Sequence, residues 1–144
     1  MLLKNSIHIN QKKFFKNFYL ILMFASTFIY AQDFYVSNAL GSDGNDGSEM
    51  SPFQTINRAI SEVEAGGTVF VMEGIYRNQN YGTVDVSNYT NMSNPHVVTI
   101  DKSGTQAGYI TLKNYPNNTP IIEFDGKGGI QITNDMNYII VEGF

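Results

Sequence analysis

Hydrophobic residues recur along this chain in three different rhythms. The first is unbroken: Phe18 to Tyr30 reads FYLILMFASTFIY, 13 residues without a charge. The second is helical, because Phe53, Ile56, Ile60 and Val63 lie three or four residues apart and so share one face of a helix. Ser51 or Thr55 offers an N-cap, Pro52 suits a first turn, and Gly66-Gly67 supplies the stop. The third rhythm runs from Thr68 to the end and is strand-like. Its runs are Thr68 to Met72, Thr83 to Val86, Val97 to Ile100, Tyr109 to Lys113, Ile121 to Phe124, Gly129 to Ile132 and Tyr138 to Val141. Each is rich in Val, Ile, Thr, Tyr or Phe and bounded by Gly, Asn, Asp or Pro. One more run, Phe34 to Ser37, comes before the helix and leads into a turn-rich loop, NALGSDGNDGS.

Seven short strands after one helix are compatible with a sandwich, but two features favour a solenoid. Tight two-residue hairpin signals are scarce between the strands. The spacing from Thr68 to Val97 is 29 residues, and from Tyr109 to Tyr138 it is again 29, within the range of coil repeats. In a parallel solenoid each strand stacks on its counterpart one coil away at ~4.8 Å, and inward residues form continuous apolar rows. Such a stack needs a cap at its open end. The amphipathic helix is placed to supply it, which gives Phe53, Ile56, Ile60 and Val63 a structural role.

Charge divides the chain. Lys4, Lys12, Lys13 and Lys16 precede every acid, whereas the other five cations share the rest with all 13 acids, so a +4 head joins a −8 body within an overall −4. A basic stretch, an apolar run and then Ala31-Gln32 is the layout of a secretory signal peptide, cut after Ala31 or Gln32. The run is short for a membrane anchor, which needs ~20 residues. Ile29, two before Ala31, is larger than the small residue preferred there. The expected organisation is a signal over 1–31, an opening strand, loop and capping helix over 33–67, and the first coils over 68–144. No membrane span is expected after cleavage, and the protein is expected outside the cell, on its surface or in the periplasm.

The acidic body excludes nucleic acid as a partner, since that affinity needs clustered Lys and Arg. There is no cysteine, which removes disulfides, thiolate nucleophiles, Cys-ligated zinc and lipoprotein attachment. Asp43, Asn45 and Asp46 in GSDGNDGS are weak candidate calcium ligands. Their spacing does not match an EF-hand loop, and local Asx turns account for them more simply. Asp125-Gly126-Lys127-Gly128-Gly129 lacks the rest of a phosphate-binding signature and reads as a turn between coils. Arg58, Arg77, Lys102, Lys113 and Lys127 read as solvated surface cations, any of which could touch a polyanionic glycan. His96 is the only histidine of the body, so a His-rich zinc site is excluded, and without GxSxG a serine triad has no support. Tyrosines 35, 76, 81, 89, 109, 115 and 138 could stack on sugar rings but fit packing along the coils better. The tripeptides starting at Asn88, Asn91 and Asn117 satisfy the N-glycosylation rule by composition as readily as by design.

The stretch FYVSNALGSDGNDGSEMSPFQTINRAISEVEAGGTVFVMEGIYR resembles the N-terminal start of secreted right-handed parallel β-helix proteins of the pectin-lyase-like superfamily. DKSGTQAGYITLKNYPNNTPIIEFDGKGGIQITNDMNYIIVEGF looks like the next coils, as in chondroitinase-B-like and alginate lyases and some pectate lyases. The resemblance implies an all-β right-handed parallel β-helix with an N-terminal amphipathic capping helix. It also implies β-elimination on a uronate-containing glycan such as pectate or alginate, an acidic polysaccharide partner, and calcium in the full-length protein. A cation offsets the uronate carboxylate and a Lys or Arg takes the C5 proton, which is hardly acidic until that charge is neutralised. In these families base and metal ligands lie on middle coils, so no catalytic residue is expected here, and they are expected downstream of Phe144. Residues 68–144 correspond to roughly three coils. Ending at Val141-Glu142-Gly143-Phe144 without a polar cap, the chain is expected to be the N-terminal part of a longer protein and to be inactive alone. The rival expectation is a non-catalytic β-helix surface protein for glycan binding or adhesion.

Overall fold

A computed structural model of the chain describes residues 31–83 and 96–144. The export segment over 1–31, apart from Ala31, the strand-like run Thr83 to Val86, apart from Thr83, and Tyr89 and the tripeptides at Asn88 and Asn91 therefore lie outside the described residues. Short strands with extended, β-branched sequences dominate: β1 (Phe34–Val36), β2 (Thr68–Val71), β3 (Ile75–Arg77), β4 (Val98–Ile100), β5 (Ile110–Asn114), β6 (Ile121–Glu123), β7 (Ile130–Ile132) and β8 (Ile139–Glu142). One helix, α1 (Ile56–Glu62), stands between β1 and β2. All the named strand pairs are parallel, forming sheets of order β1-β2-β5-β8, β3-β6 and β4-β7. Two turns of a three-sided parallel β-helix follow, with β1 as a rung above the first and β8 as a rung below the second.

Register decides which residues face inward. Phe34, Val69, Leu112 and Val141 stand in one row across the four-stranded sheet. Val98 pairs with Ile130, Ile100 with Ile132, and Tyr76 with Ile122 on the other two sides. A one-residue slip of any strand would turn its apolar residues to solvent, so burial fixes the pairing. Of the two 29-residue spacings, only the second is a coil: Ile110 pairs with Ile139. Val97 belongs to a different side from Thr68, whose partner is Thr111, 43 residues on. The first turn is longer because the connection from β3 to β4 is long, and irregular turns can lengthen without disturbing the ladder.

The sequence pattern missed β3 because only three residues, Ile75, Tyr76 and Arg77, alternate exposed, buried, exposed. Its start is fixed by Gly74 at φ +153, where a Cβ would come within 2.3 Å of Asn38 Oδ1. Only glycine takes that corner without strain.

Helix α1 starts at Thr55, whose extended backbone (φ −112, ψ 145) and side chain, accepting from Arg58 N, make it the N-cap. Ser51 is instead bridged to Ser48, and Pro52 precedes Phe53, which is bridged to Val36, so neither belongs to the helix. The helix stops at Val63, which turns extended (φ −64, ψ 139) before Gly66-Gly67. Those glycines carry the later turn into β2, with Gly67 N donating to Glu64 O. Phe53, Ile56, Ile60 and Val63 are all buried, joined by Ala59, in one core with β1, β2, β4 and β5. Asn57 fastens the helix to β4, donating to Val97 O and accepting from Thr99 N. Lys102 fastens its other end, donating to Ser61 O at 2.8 Å and Val63 O at 3.1 Å. Those carbonyls lack helical partners, so an ammonium there satisfies them and opposes the helix dipole.

Candidate functional site

The Gly/Asp loop is tied to the fold through its own polar side chains. Asp43 Oδ1 accepts from Gln54 N and Thr55 N, and Oδ2 from Thr55 Oγ1. Asn45 Nδ2 donates to Pro52 O, and Asp46 Oδ1 accepts from Ser48 N. The bond from Ser48 N holds the Asp46 carboxyl below its usual pKa. Each of the three candidate calcium ligands is thus turned to a different partner in the loop or at the helix start, so the three do not fit a shared calcium position. Gly47 (φ +76) lets this loop close over the rings of Phe34 and Phe53, the nearest lying 2.3 Å from where a Cβ would stand. Among the described residues no three His, Cys, Asp or Glu gather as a metal group.

Four of the five cations read as solvated are engaged. Arg58 pairs with Glu62 and lies over Phe53, and Lys102 holds the helix end and Glu64. Lys113 reaches Glu142 at 3.7 Å and stands 5.5 Å above Phe70, continuing the outward row Tyr35, Phe70, Lys113, Glu142. Tyr35 and Phe70 are stacked at 5.3 Å with Tyr115 edge-on to both, so these rings pack along the coils. Tyr115 donates to Glu49, and that bond raises its phenol pKa. Tyr76 points inward, donating to Val36 O and Met72 O, and burial pushes its pKa up to about 12.

A concave part of the surface lies elsewhere, where the start of α1 meets β3. A groove of about 490 Å³ is lined by exposed Gln54, Thr55, Asn57, Ile75, Arg77 and Gln79 and half-buried Asn38 and His96, with Ile56, Tyr76 and Val97 buried in its wall. Arg77 is held by Glu123 through Nε and Nη2, both 2.6 Å from Oε2, and its guanidinium lies 4.8 Å from the centroid of the Tyr81 ring. Glu123 raises the pKa of Arg77 and of the Tyr81 phenol through hydrogen bonds. His96 sits over Gly128, where a Cβ would approach its ring to 3.0 Å. Asn38 is engaged with Ile75 O. The motif Asp125-Gly126-Lys127-Gly128-Gly129 connects β6 to β7 inside one turn rather than one coil to the next. Its Asp125 bonds to Asn78, one rung above, and to Gly82 N. Asn117 occupies a positive-φ turn (φ 64) between β5 and β6. Sequence reasoning overlooked Gln54 and Gln79, and nothing local marks them, because the helix start and β3 bring them together only in space.

Residues 34–144 match the family described as Pel9A-like, right handed beta helix region. An uncharacterized protein of Bacillus subtilis (strain 168), YwoF, is 32% identical over 90 residues, covering 62% of this chain and 15% of YwoF. A solved rhamnogalacturonan lyase superposes with a TM-score of 0.52 at 24% identity, over 78% of this chain and 28% of the lyase. The structure of XylC with xylose gives a TM-score of 0.47 at 28% identity, over 62% of this chain and 11% of XylC. The chain thus spans a small part of each relative, and at this identity the likeness to the lyase speaks for the fold alone. The match over 34–144, on a body whose named strands pair only in parallel, shows that the chain belongs to the Pel9A-like right-handed β-helix family.

Proposed function

We propose that this protein acts on polysaccharides outside the cytoplasm, as a lyase that cleaves uronate-containing glycans such as pectate or alginate by β-elimination. The observation that carries the reading is membership of the Pel9A-like right-handed β-helix family over residues 34–144. The resemblance of the same stretch to uronate lyases supports it, as does the N-terminal export pattern. No helix among the described residues is long and apolar enough to cross a membrane.

On this reading the present residues build the first coils and their cap. Neither the base nor a calcium site is assigned to a residue of these coils. In β-elimination a Lys or Arg takes the C5 proton as the C4–O bond to the leaving glycosyl oxygen breaks and a C4=C5 double bond forms, and a bound cation would lower the charge of the adjacent uronate carboxylate. The four paired cations on these coils leave little free positive charge for a polyuronate, so attraction must come from a bridging cation or from other coils.

The test is the full-length gene product mixed with pectate and alginate in the presence of calcium. Release of unsaturated products absorbing in the ultraviolet is expected. Absence of such products from every uronate polymer would replace the lyase by a non-catalytic glycan-binding β-helix protein.

A further inference from the structure

The groove between the start of α1 and β3 has a lining whose chemistry is divided. Much of its polar surface is already committed: Asn57 to Val97 and Thr99, Asn38 to Ile75, Thr55 to Asp43 and Arg58, and Tyr76 to Val36 and Met72. These bonds make the walls rigid. The side chains of Gln54, Gln79 and His96 make no hydrogen bond to another described residue, and all three border the same concavity. Ile75, 41% exposed, contributes most of the apolar surface beside them, with the edge of Val97, 7% exposed, behind it.

The charge balance is equally informative. Among the described residues Arg77 is the only Lys or Arg lining the groove, and Glu123 already neutralises it. A bound carboxylate would have to compete with Glu123 on a body of net negative charge. Primary amides, by contrast, both donate and accept, as sugar hydroxyls do, and an imidazole adds another polar contact. An apolar wall beside such groups matches the C–H face of a pyranose, whose hydroxyls radiate from its rim. A groove of about 490 Å³ lies within the usual size range of small-ligand sites and accommodates one or two sugar rings.

We propose that the groove lined by Gln54, Ile75, Arg77, Gln79, His96 and Val97 is a binding site for a neutral sugar unit of a glycan, apart from any uronate-cleaving centre. The proposal rests on the polysaccharide reading above and adds the kind of sugar and the place where it is held. A neutral site on the first coils would anchor a branch or an uncharged stretch of a polymer whose acidic part is handled further along the solenoid.

The experiment uses the full-length protein with amide and imidazole resonances assigned. Galactotriose and xylotriose serve as neutral probes and trigalacturonate as the acidic one. At least one neutral trisaccharide is expected to shift the side-chain amides of Gln54 and Gln79 and the ring of His96. The Gln54→Ala/Gln79→Ala variant is expected to bind that trisaccharide roughly tenfold more weakly at unchanged melting temperature. Arg77→Gln, with Glu123→Gln to avoid an unpaired carboxylate, is expected to weaken it less.

The proposal is overturned if no neutral trisaccharide moves these resonances, or if trigalacturonate alone moves them and the effect disappears in high salt. Binding with the shifts confined to other coils overturns it equally. Its failure is separable from failure of the lyase reading: unsaturated products with a silent groove would sink only the site. Groove binding without any product would sink only the lyase.

Discussion

The segment from Phe34 to Val63 and the segment from Ile121 to Phe144 are built from similar apolar residues and end in opposite conditions. In the first, Phe34, Val36, Phe53, Ile56, Ile60 and Val63 are all buried, none more than 6% exposed. In the second, Ile121, Phe124, Ile132 and Phe144 are 43 to 52% exposed, and Val141, which occupies an inward row, is 37% exposed. Strand propensity does not separate them. The first segment carries its own cover, a helix and a loop fastened by Asp43, Asn45, Asn57 and Lys102, whereas in the second β6, β7 and β8 each pair along one edge, with β3, β4 and β5 respectively. Alternation along a strand defines which residues can be buried, and a covering layer decides which ones are.

Substitutions can break that contrast. The largest effect is expected at Phe53, 1% exposed: Phe53→Ala should cost about 3–5 kcal/mol, while Phe124→Ala, at 52% exposure, should cost less than about 1 kcal/mol. Urea unfolding midpoints would show it, and equal costs would mean that both ends are packed alike. Next is Asp43→Ala, which removes the acceptor of three hydrogen bonds at the helix start. A loss of about 1–2 kcal/mol is expected, with partial recovery in Asp43→Asn.

Tyr76→Phe is expected to cost about 1 kcal/mol through its two lost bonds to Val36 O and Met72 O. It also carries a pH signature. Burial favours the neutral phenol and raises its pKa from 10.0 to about 12, so its stabilisation is complete below pH 10 and is lost as pH rises towards 12. Unfolding followed from pH 9 to 12 should lose part of its alkaline slope in the variant, and an unchanged slope would contradict the burial of that hydroxyl.

The smallest expected effects compare two lysines. Lys102→Met should cost about 1 kcal/mol because it leaves Ser61 O and Val63 O without their donor, whereas Lys113→Met, losing one exposed pair at 3.7 Å, should cost less than about 0.5 kcal/mol. If the two were equal, the helix end would not depend on its lysine cap.

Much of the strand inventory was legible because each run had a β-branched pattern and punctuation of its own: β1, β2, β4, β5, β6, β7 and β8 fall where those runs stand. The helix face was legible for the same reason, since Phe53, Ile56, Ile60 and Val63 keep a local period. β3 was not, because three residues are too few to establish an alternation. The spacing from Thr68 to Val97 misled, because residues on different sides of a coil can share a separation with residues on the same side. Lys102 looked solvated, because its partners are carbonyls some 40 residues away in the chain.

The sequence by itself determined the solenoid class, the amphipathic helix and the acidic character of the body, all of which depend on residues close together along the chain or on their sum. Tertiary structure alone decided which strands stack, that the Gly/Asp loop serves as a helix clamp, and that Gln54, Gln79 and His96 border one groove. Those facts depend on register and on coil lengths set by irregular turns, and no local periodicity encodes them.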